Sequence, residues 1–325
     1  MRMLSPVVAC AALLAWIGAA VAQTYPSRPI TIVVAFAAGG SGDTIARILA
    51  DHMRTELGQT IIVENVGGAA GSIGVGRVAR AAPDGYTISA GNWPTHVLNG
   101  AIFPSLGYDV LTDFEPISLI ATESIVIVAN KAMPANTLQD LIAWLKANPD
   151  KASAGTTGPG GVGHVVGVFF QKETGTQFQF VPYRGVGPAM QDMIAGQIDI
   201  MFDTSANSLP QVRSGNIKGY AVTAKARLAA APDIPTVDEA GLPGFHISNW
   251  RGIWAPKGTP RDVIVKLNAA VRSALADPTV RRRLGDLGQE LLPPEQLTPE
   301  ALSELQKAEI EKWWPIIKAA NIKAQ

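Results

Sequence analysis

The sequence predicts an α/β protein with two lobes around a ligand cleft. Short β-rich runs alternate with helical segments from Pro29 onward, a pattern typical of parallel sheets covered by helices. A second alternation of the same kind starts at Ser124, and helical patterns dominate near the C-terminus. We therefore expect two α/β lobes and a helical tail, with the chain crossing between the lobes near residues 121–126 and 244–250.

The first half has the order β-α-β-α-β, with strands at 30–34, 61–64 and 86–90 and helices at 44–57 and 73–82. The second half continues the alternation, and several of its helices end at Gly or Asn-Pro. Its predicted strands are 124–128, 152–155, 178–181, 198–202 and 217–223, and its predicted helices are 138–147, 163–174, 188–195 and 205–213.

Three helices are predicted in the tail, near 261–275, 279–287 and 299–318. The last one carries an amphipathic stripe that fits it to pack back on a lobe. This order assigns residues 23–123 plus 247–325 to lobe 1 and residues 124–246 to lobe 2.

Residues 1–22 are predicted to be a cleavable secretory signal. Arg2 supplies a positive start, an apolar run follows, and Ala20-Val21-Ala22 offers the small-x-small pattern that signal peptidase requires. A retained membrane anchor is the alternative, because about 20 apolar residues can span a bilayer. The apolar run is followed by a polar, proline-containing stretch and not by a basic cluster, which favours cleavage over a retained anchor. Lipid attachment at Cys10 is a weaker alternative.

Composition excludes several function classes. The balance of 27 basic against 27 acidic residues argues against nucleic acid or anionic membranes as partners. The single cysteine, Cys10, lies inside the predicted signal, so the mature chain has no thiol nucleophile. The four histidines lack metal-site spacing, and no Gly-x-Ser-x-Gly elbow occurs. We expect a binding protein rather than an enzyme, with no cofactor and no metal.

Two Gly-rich turns are the strongest candidates for a binding site. The first is Phe36-Ala37-Ala38-Gly39-Gly40-Ser41-Gly42-Asp43, and the second spans residues 156–164 in the equivalent place of the second half. Glycines let backbone N–H groups approach an anion, and a helix N-terminus adds positive dipole. Facing turns at the carboxyl ends of strands in two lobes therefore predict a buried anion.

These turns are neither a P-loop nor a good dinucleotide fingerprint, because they lack the required lysine and glycine spacing. Asp43 is interpreted as a capping carboxylate of the first helical turn rather than as a ligand contact. For His164, donation to a carboxylate and a structural hydrogen bond are equally consistent with the pattern.

Polar side chains follow two further strands. Asp203 and Thr204 come after the strand at 198–202, and Asn92 comes after the strand at 86–90. A carboxylate there can accept from an amine or a hydroxyl, or hold the neighbouring loop. Trp93 fits a pocket wall and a packing role equally well.

Several short blocks follow one another in the order seen in a single family. They are Tyr25-Pro26-Ser27-Arg28-Pro29-Ile30, Gly39-Gly40 with Asp43, Leu57-Gly58-Gln59, Val63-Glu64-Asn65, Ala82-Pro83-Asp84-Gly85-Tyr86-Thr87, Val181-Pro182-Tyr183-Arg184-Gly185, Pro235-Thr236-Val237-Asp238-Glu239-Ala240-Gly241, Trp250-Arg251-Gly252 and Ala255-Pro256-Lys257-Gly258-Thr259-Pro260. From about residue 25 to its C-terminus, the chain resembles the Bordetella uptake gene receptors, the extracytoplasmic solute receptors of tripartite tricarboxylate transporters.

The resemblance implies a type II periplasmic-binding-protein fold that closes on a small carboxylate. It also implies a periplasmic location and delivery of the ligand to the membrane permease subunits of such a transporter, and we expect a monomer. In such receptors the two turns hold the carboxylate through backbone N–H groups, hydroxyls and bridging waters. Carried over residue by residue, the contacts are Phe36, Ala38, Gly39 and Gly40 in the first turn, Thr156, Thr157, Gly161 and His164 in the second, and Asp203 and Thr204 after the later strand.

The chain departs from the family in both turns, with Ala35, Ala37 and Ala38 in place of prolines and Gly163 in place of a serine. Both departures loosen the turns, and the second removes a hydroxyl. Dicarboxylates, tricarboxylates, amino acids and aromatic carboxylates all present a carboxylate that the two turns can hold, so the turns do not distinguish among them. Trp93 and Trp250 favour a longer or aromatic acid.

Two other function classes stay open. An exported α/β enzyme acting on an anionic substrate would need a strongly perturbed acid–base group in the cleft. A receptor that feeds a signalling system would bind its ligand in the same way as a transport receptor.

Overall fold

The computed structural model describes residues 24–319 and 321–323. The predicted signal over residues 1–22 lies outside this range. The described strands are β1 (Ile30–Val34), β2 (Ile61–Asn65), β3 (Thr87–Asn92), β4 (Phe114–Asn130), β5 (Ser153–Thr156), β6 (Gln179–Pro182), β7 (Ile200–Thr204), β8 (Ile217–Val222), β9 (Ser248–Pro256) and β10 (Gln289–Glu290). The α-helices are α1 (Ser41–Leu57), α2 (Ser72–Ala79), α3 (Asn99–Ile102), α4 (Leu138–Ala147), α5 (Val162–Thr174), α6 (Val186–Ile194), α7 (Ser205–Arg213), α8 (Arg261–Ala276), α9 (Pro278–Asp286) and α10 (Pro299–Ala319).

The strands are arranged around the long strand β4. On one side β9, β3, β1 and β2 follow in hydrogen-bonding order, and on the other side β7, β5 and β6 follow, while β8 and β10 also pair with β4. β4 pairs with β9 as far as Ser124 and with β7 from Ile125. We call the group with β1–β3 the first sheet and the group with β5–β8 the second sheet. The chain therefore passes from one sheet to the other within a single strand.

The parallel strands of each sheet end at one edge. β1 pairs in parallel with β2 and β3, and β5 pairs in parallel with β6 and β7. The turns that follow β1 and β5, and the last residues of β3 and β7, therefore lie at the carboxyl edges of the two sheets, where open α/β sheets bind ligands.

Strand β4 differs most from the sequence prediction, which placed a strand only at 124–128. Pro116 and a series of polar residues interrupt the apolar pattern of its first half, and proline inside a run argues against a strand. In the structure the register to β9 shifts twice, between Pro116 and Ser118 and between Leu119 and Ala121. These irregularities accommodate the proline.

The C-terminal helix α10 packs on the first sheet, as its amphipathic pattern predicts. Trp313 packs edge-to-face on Trp93 with ring centroids 4.9 Å apart. Gln306 joins three segments, because its Nε2 donates to the carbonyls of His96 and Val110 and its Oε1 accepts from Trp254. Within the described residues, no helix has the length and apolar character needed to cross a membrane. The lobe boundaries given above stay a prediction.

Candidate ligand-binding site

A cavity of about 60 Å³ lies where the carboxyl edges of the two sheets meet. Residues from both sheets and from strand β9 line it. The polar side chains in its wall are Ser41, Asp43, Asn92, Thr156, Thr157, Asp203, Thr204, Asn207, Asn249 and Arg251. Both Gly-rich turns singled out in the sequence contribute to the wall.

Four helices begin at this cavity without a side-chain cap. These are α1, α5, α6 and α7, whose N-cap residues are Gly40, Gly161, Gly185 and Thr204, and none of them makes a side-chain capping hydrogen bond. The first N–H groups of a helix have no partner inside the helix. Together with the helix dipoles, they provide an electropositive environment for an anion.

The first turn is held from within by Asp43. Gly39, with a φ of +85°, donates its N–H to Asp43 Oδ2 at 3.0 Å, and Arg47 Nε donates to Oδ1 at 2.9 Å. Burial opposes ionisation of Asp43, but the bonds from Arg47 and Gly39 outweigh it and lower the pKa of this carboxyl. Asp43 is therefore an ionised carboxylate that stabilises the first turn, and it also lines the cavity.

The second turn is held in a similar way by Thr156 and His164. The N–H of Gly158 donates to Thr156 Oγ1 at 3.2 Å, and the N–H of Gly160 lies 3.4 Å from His164 Nδ1. The ring of His164 packs on Phe180, with centroids 4.7 Å apart. Burial lowers the pKa of His164, so the imidazole is neutral near pH 7. These contacts hold the second turn, and a bond from His164 to a ligand carboxylate stays a prediction.

Asp203 lies at the end of β7 and is only 4% exposed. Its Oδ1 accepts from the Thr204 N–H at 2.8 Å and from Asn207 Nδ2 at 3.0 Å. Its Oδ2 is buried and has no hydrogen-bond partner within the described part of the chain. Burial raises the pKa of Asp203 to about 7, although the bonds from Asn207 and Thr204 act in the opposite direction.

The first turn is linked across the cavity to the end of β7 and to strand β9. Thr204 Oγ1 donates to Ser41 Oγ at 3.2 Å, and Ser41 also accepts from the guanidinium of Arg251. One hydroxyl at the start of α1 thus connects the second sheet with strand β9.

A buried charged cluster behind this hydroxyl was missed at the sequence level. Glu123 is fully buried, and it forms an ion pair with Arg251, which is 6% exposed. Glu123 also accepts from Asn249 Nδ2 at 2.8 Å and from Gln289 Nε2 at 2.6 Å. Arg251 Nε and Asn249 Oδ1 are buried and unpartnered among the described residues. The sequence feature that could have revealed this cluster is a single arginine, Arg251, inside the apolar run 250–255.

The predicted site residues fall into two groups. Phe36, Gly40, Asn92, Thr156, Thr157, Asp203 and Thr204 line the cavity, whereas Ala38, Gly39, Gly161 and His164 lie in the turns but outside its wall. Trp93 and Trp250 are 0% and 2% exposed and do not line the cavity, so their indication of an aromatic ligand loses its basis.

A second cavity of about 340 Å³ adjoins the first and shares Phe36 and Thr157 with it. Its other lining residues include Ala69, Tyr183 and Arg184. The space beyond the polar chamber can therefore hold the remainder of a longer ligand.

Asp203 is a perturbed acid–base group in the cavity, but its hydrogen-bond partners among the described residues are the Thr204 N–H and Asn207, and no described hydroxyl bonds to it. No group of three or more His, Cys, Asp or Glu side chains there could hold a metal ion. His96 is fully buried and stacks on Trp254 with centroids 3.7 Å apart, and burial lowers its pKa to about 3.

Comparisons with known proteins identify the family of this chain. A family model described as "Tripartite tricarboxylate transporter family receptor" matches residues 45–322. A protein of Agrobacterium vitis, described as "UPF0065 protein in the TAR-I ttuE-ttuC' intergenic region", is 41% identical over 315 residues, which is 97% of this chain and 90% of that protein.

Two solved structures are similar over nearly the whole chain. The periplasmic binding protein BugD is 40% identical with a TM-score of 0.89, covering 93% of this chain and 100% of its own. MatC from Rhodopseudomonas palustris with bound malate is 39% identical with a TM-score of 0.87, covering 90% and 100%. These matches confirm the predicted α/β periplasmic-binding-protein fold. The chain belongs to the tripartite tricarboxylate transporter receptor family, a family of periplasmic solute-binding proteins.

Proposed function

We propose that this protein captures a small carboxylate between its two lobes in the periplasm and delivers it to the permease subunits of a tripartite tricarboxylate transporter. The observation that carries the proposal is the convergence of four uncapped helix N-termini on one cavity. The malate bound to MatC supports a carboxylate as the ligand class.

The cavity supplies the hydrogen bonds that such an anion needs. N–H groups from α1, α5, α6 and α7, together with the hydroxyls of Thr156 and Thr157, surround the first carboxylate. Hydrogen bonds to a charged group contribute roughly 1.5–3 kcal/mol each. The adjoining 340 Å³ cavity takes the rest of the ligand.

The way the chain connects the sheets supports closure of the two lobes. β4 changes sheets at Ser124–Ile125, and β9 begins at Ser248 opposite the same point. Residues 23–123 plus 247–325 and residues 124–246 then rotate about these strands. A ligand that contacts both turns stabilises the closed state. The closed face is what the permease recognises.

The binding step is tested by the melting temperature of the purified protein with a panel of di-, tri- and monocarboxylates and with neutral sugars. A carboxylate at ten times its Kd should stabilise the protein by about 1.4 kcal/mol. If sugars shift the melting temperature and no carboxylate does, the proposal is wrong. Delivery is tested by uptake of the labelled ligand into cells with and without the gene.

A further inference from the structure

Three acidic side chains lie in or next to the cavity, and they differ in their ion-pair partners. Asp43 is paired with Arg47, and Glu123 is paired with Arg251. Asp203 forms no ion pair with any described Lys, Arg or His side chain, although it is 4% exposed and lines the cavity. Of the three, it is therefore the one without an ion-pair partner among the described residues.

The free atom of this carboxyl group is Oδ2. Oδ1 is occupied by the Thr204 N–H and by Asn207 Nδ2, whereas Oδ2 is buried and unpartnered in the described structure. A buried oxygen without a partner is costly in the empty protein. A ligand in the cavity is the group that can provide one.

The charged groups that face Asp203 come from three elements. Glu123 on β4 adds negative charge, Arg251 on β9 adds positive charge, and Asp43 on α1 lines the same cavity. Arg47 and the Gly39 N–H hold the pKa of Asp43 low. Asp203 is different, since burial raises its pKa to about 7.

A carboxylate that enters this cavity brings a second negative charge next to Asp203, which lines the cavity. Two carboxyl groups in contact do not both stay ionised, because their repulsion raises the pKa of the pair. A proton placed between them turns the repulsion into a hydrogen bond. A ligand ammonium would instead pair with an ionised Asp203 and need no proton.

We propose that Asp203 is protonated in the complex and donates from Oδ2 to the ligand carboxylate, so that this protein captures non-aminated carboxylates together with one proton. The proton comes from solvent and stays on Asp203. This inference rests on the proposed function, because it requires a carboxylate in the cavity.

Titration calorimetry with succinate and with aspartate, at pH 6.5 to 8.5, tests the inference. At each pH, two buffers of different ionisation enthalpy report the number of protons taken up. Above about pH 7 the succinate affinity should fall by close to tenfold per pH unit. Proton uptake should rise toward one per succinate. Aspartate should show neither effect.

Asp203→Asn provides the matched variant, because its amide carries an N–H donor at the same place. It should bind succinate with an affinity independent of pH and without proton uptake. Asp51→Asn, at a side chain that is 73% exposed, is the control and should behave as the wild type.

The outcomes separate this inference from the proposed function. Succinate binding by the wild type without proton uptake overturns the inference and leaves the proposed function standing, as does binding of aspartate alone. If no carboxylate binds at any pH, the proposed function fails first. If Asp203→Asn does not bind, the wild-type proton count still decides.

Discussion

Helix α4 and the helices at the cavity begin in opposite ways. At the start of α4, Thr137 Oγ1 accepts from the Asp140 N–H at 3.1 Å, and the Asp140 carboxylate accepts from the Thr137 N–H at 3.1 Å. This reciprocal capping box satisfies the helix end internally. Helices α1, α5, α6 and α7 have no side-chain cap. The N–H groups at these four helix starts are therefore available to a ligand, whereas α4 uses its own side chains at this end.

The same contrast holds for polar side chains. Asp203 Oδ2, Asn249 Oδ1 and Arg251 Nε are buried and lack partners among the residues described, and all three residues line the cavity. Each such atom keeps the capacity for a further hydrogen bond. Polar groups in the cavity wall are therefore available to a ligand.

The largest expected effect comes from the buried ion pair. Arg251→Met should lower the free energy of unfolding by about 3–5 kcal/mol, because Glu123 would be left buried without a counter-charge. Arg28→Met removes an exposed pair with Asp84 and should cost less than about 1 kcal/mol. Urea denaturation measures both. Equal stability of the two variants would show that the buried ion pair contributes no more to the folded state than the exposed pair does.

Asp203 should make the empty protein less stable as pH rises. Below its ordinary pKa of 3.8 the folded and unfolded states both hold the proton. Between that value and about 7 only the folded state holds it, so the free energy of unfolding falls, and above about 7 the loss is constant. Asp203→Asn should thus be more stable than the wild type at pH 8, by up to about 4 kcal/mol, and similar at pH 4.

Urea denaturation of both proteins at pH 4, 6 and 8 gives this difference. A difference that does not change with pH would mean that Asp203 titrates at the same pH in both states.

A side-chain cap at the uncapped N-terminus of α1 should weaken ligand binding strongly without destabilising the fold. Gly40→Asp places a capping carboxylate at the N-cap of α1, where a Cβ meets its nearest neighbour, the Ala37 carbonyl oxygen, at 3.7 Å. We expect carboxylate affinity to fall at least about 100-fold, whereas stability should rise by roughly 0.5–1 kcal/mol. Thr137→Asp at α4 is the control and should leave affinity unchanged. Unchanged affinity in Gly40→Asp would show that α1 does not hold the ligand.

The smallest effect is expected at α4. Thr137→Ala removes one side of the capping box and should lower stability by about 1 kcal/mol while leaving ligand affinity unchanged. Thermal unfolding and calorimetry measure the two quantities. A loss of affinity would show that the start of α4 also affects ligand binding, contrary to the distinction between capped and uncapped helix starts.

The regular elements were predictable from periodicity. The predicted strand at 30–34 and the helices at 138–147 and 205–213 coincide with β1, α4 and α7. Both Gly-rich turns were recognised because glycine next to a helix start is a local signal. Strand β4 was underestimated, since its Pro116 and polar residues are accommodated only by the shifted pairing with β9.

Local patterns along the chain were sufficient to predict the fold class, the family and the two turns. Only the tertiary structure brought Glu123 and Arg251 together, 128 residues apart. It also decided that Asp203 keeps one oxygen free while Trp93 is used for packing. Such contacts depend on how two sheets meet, and a charge acquires its pKa from neighbours that are distant in sequence.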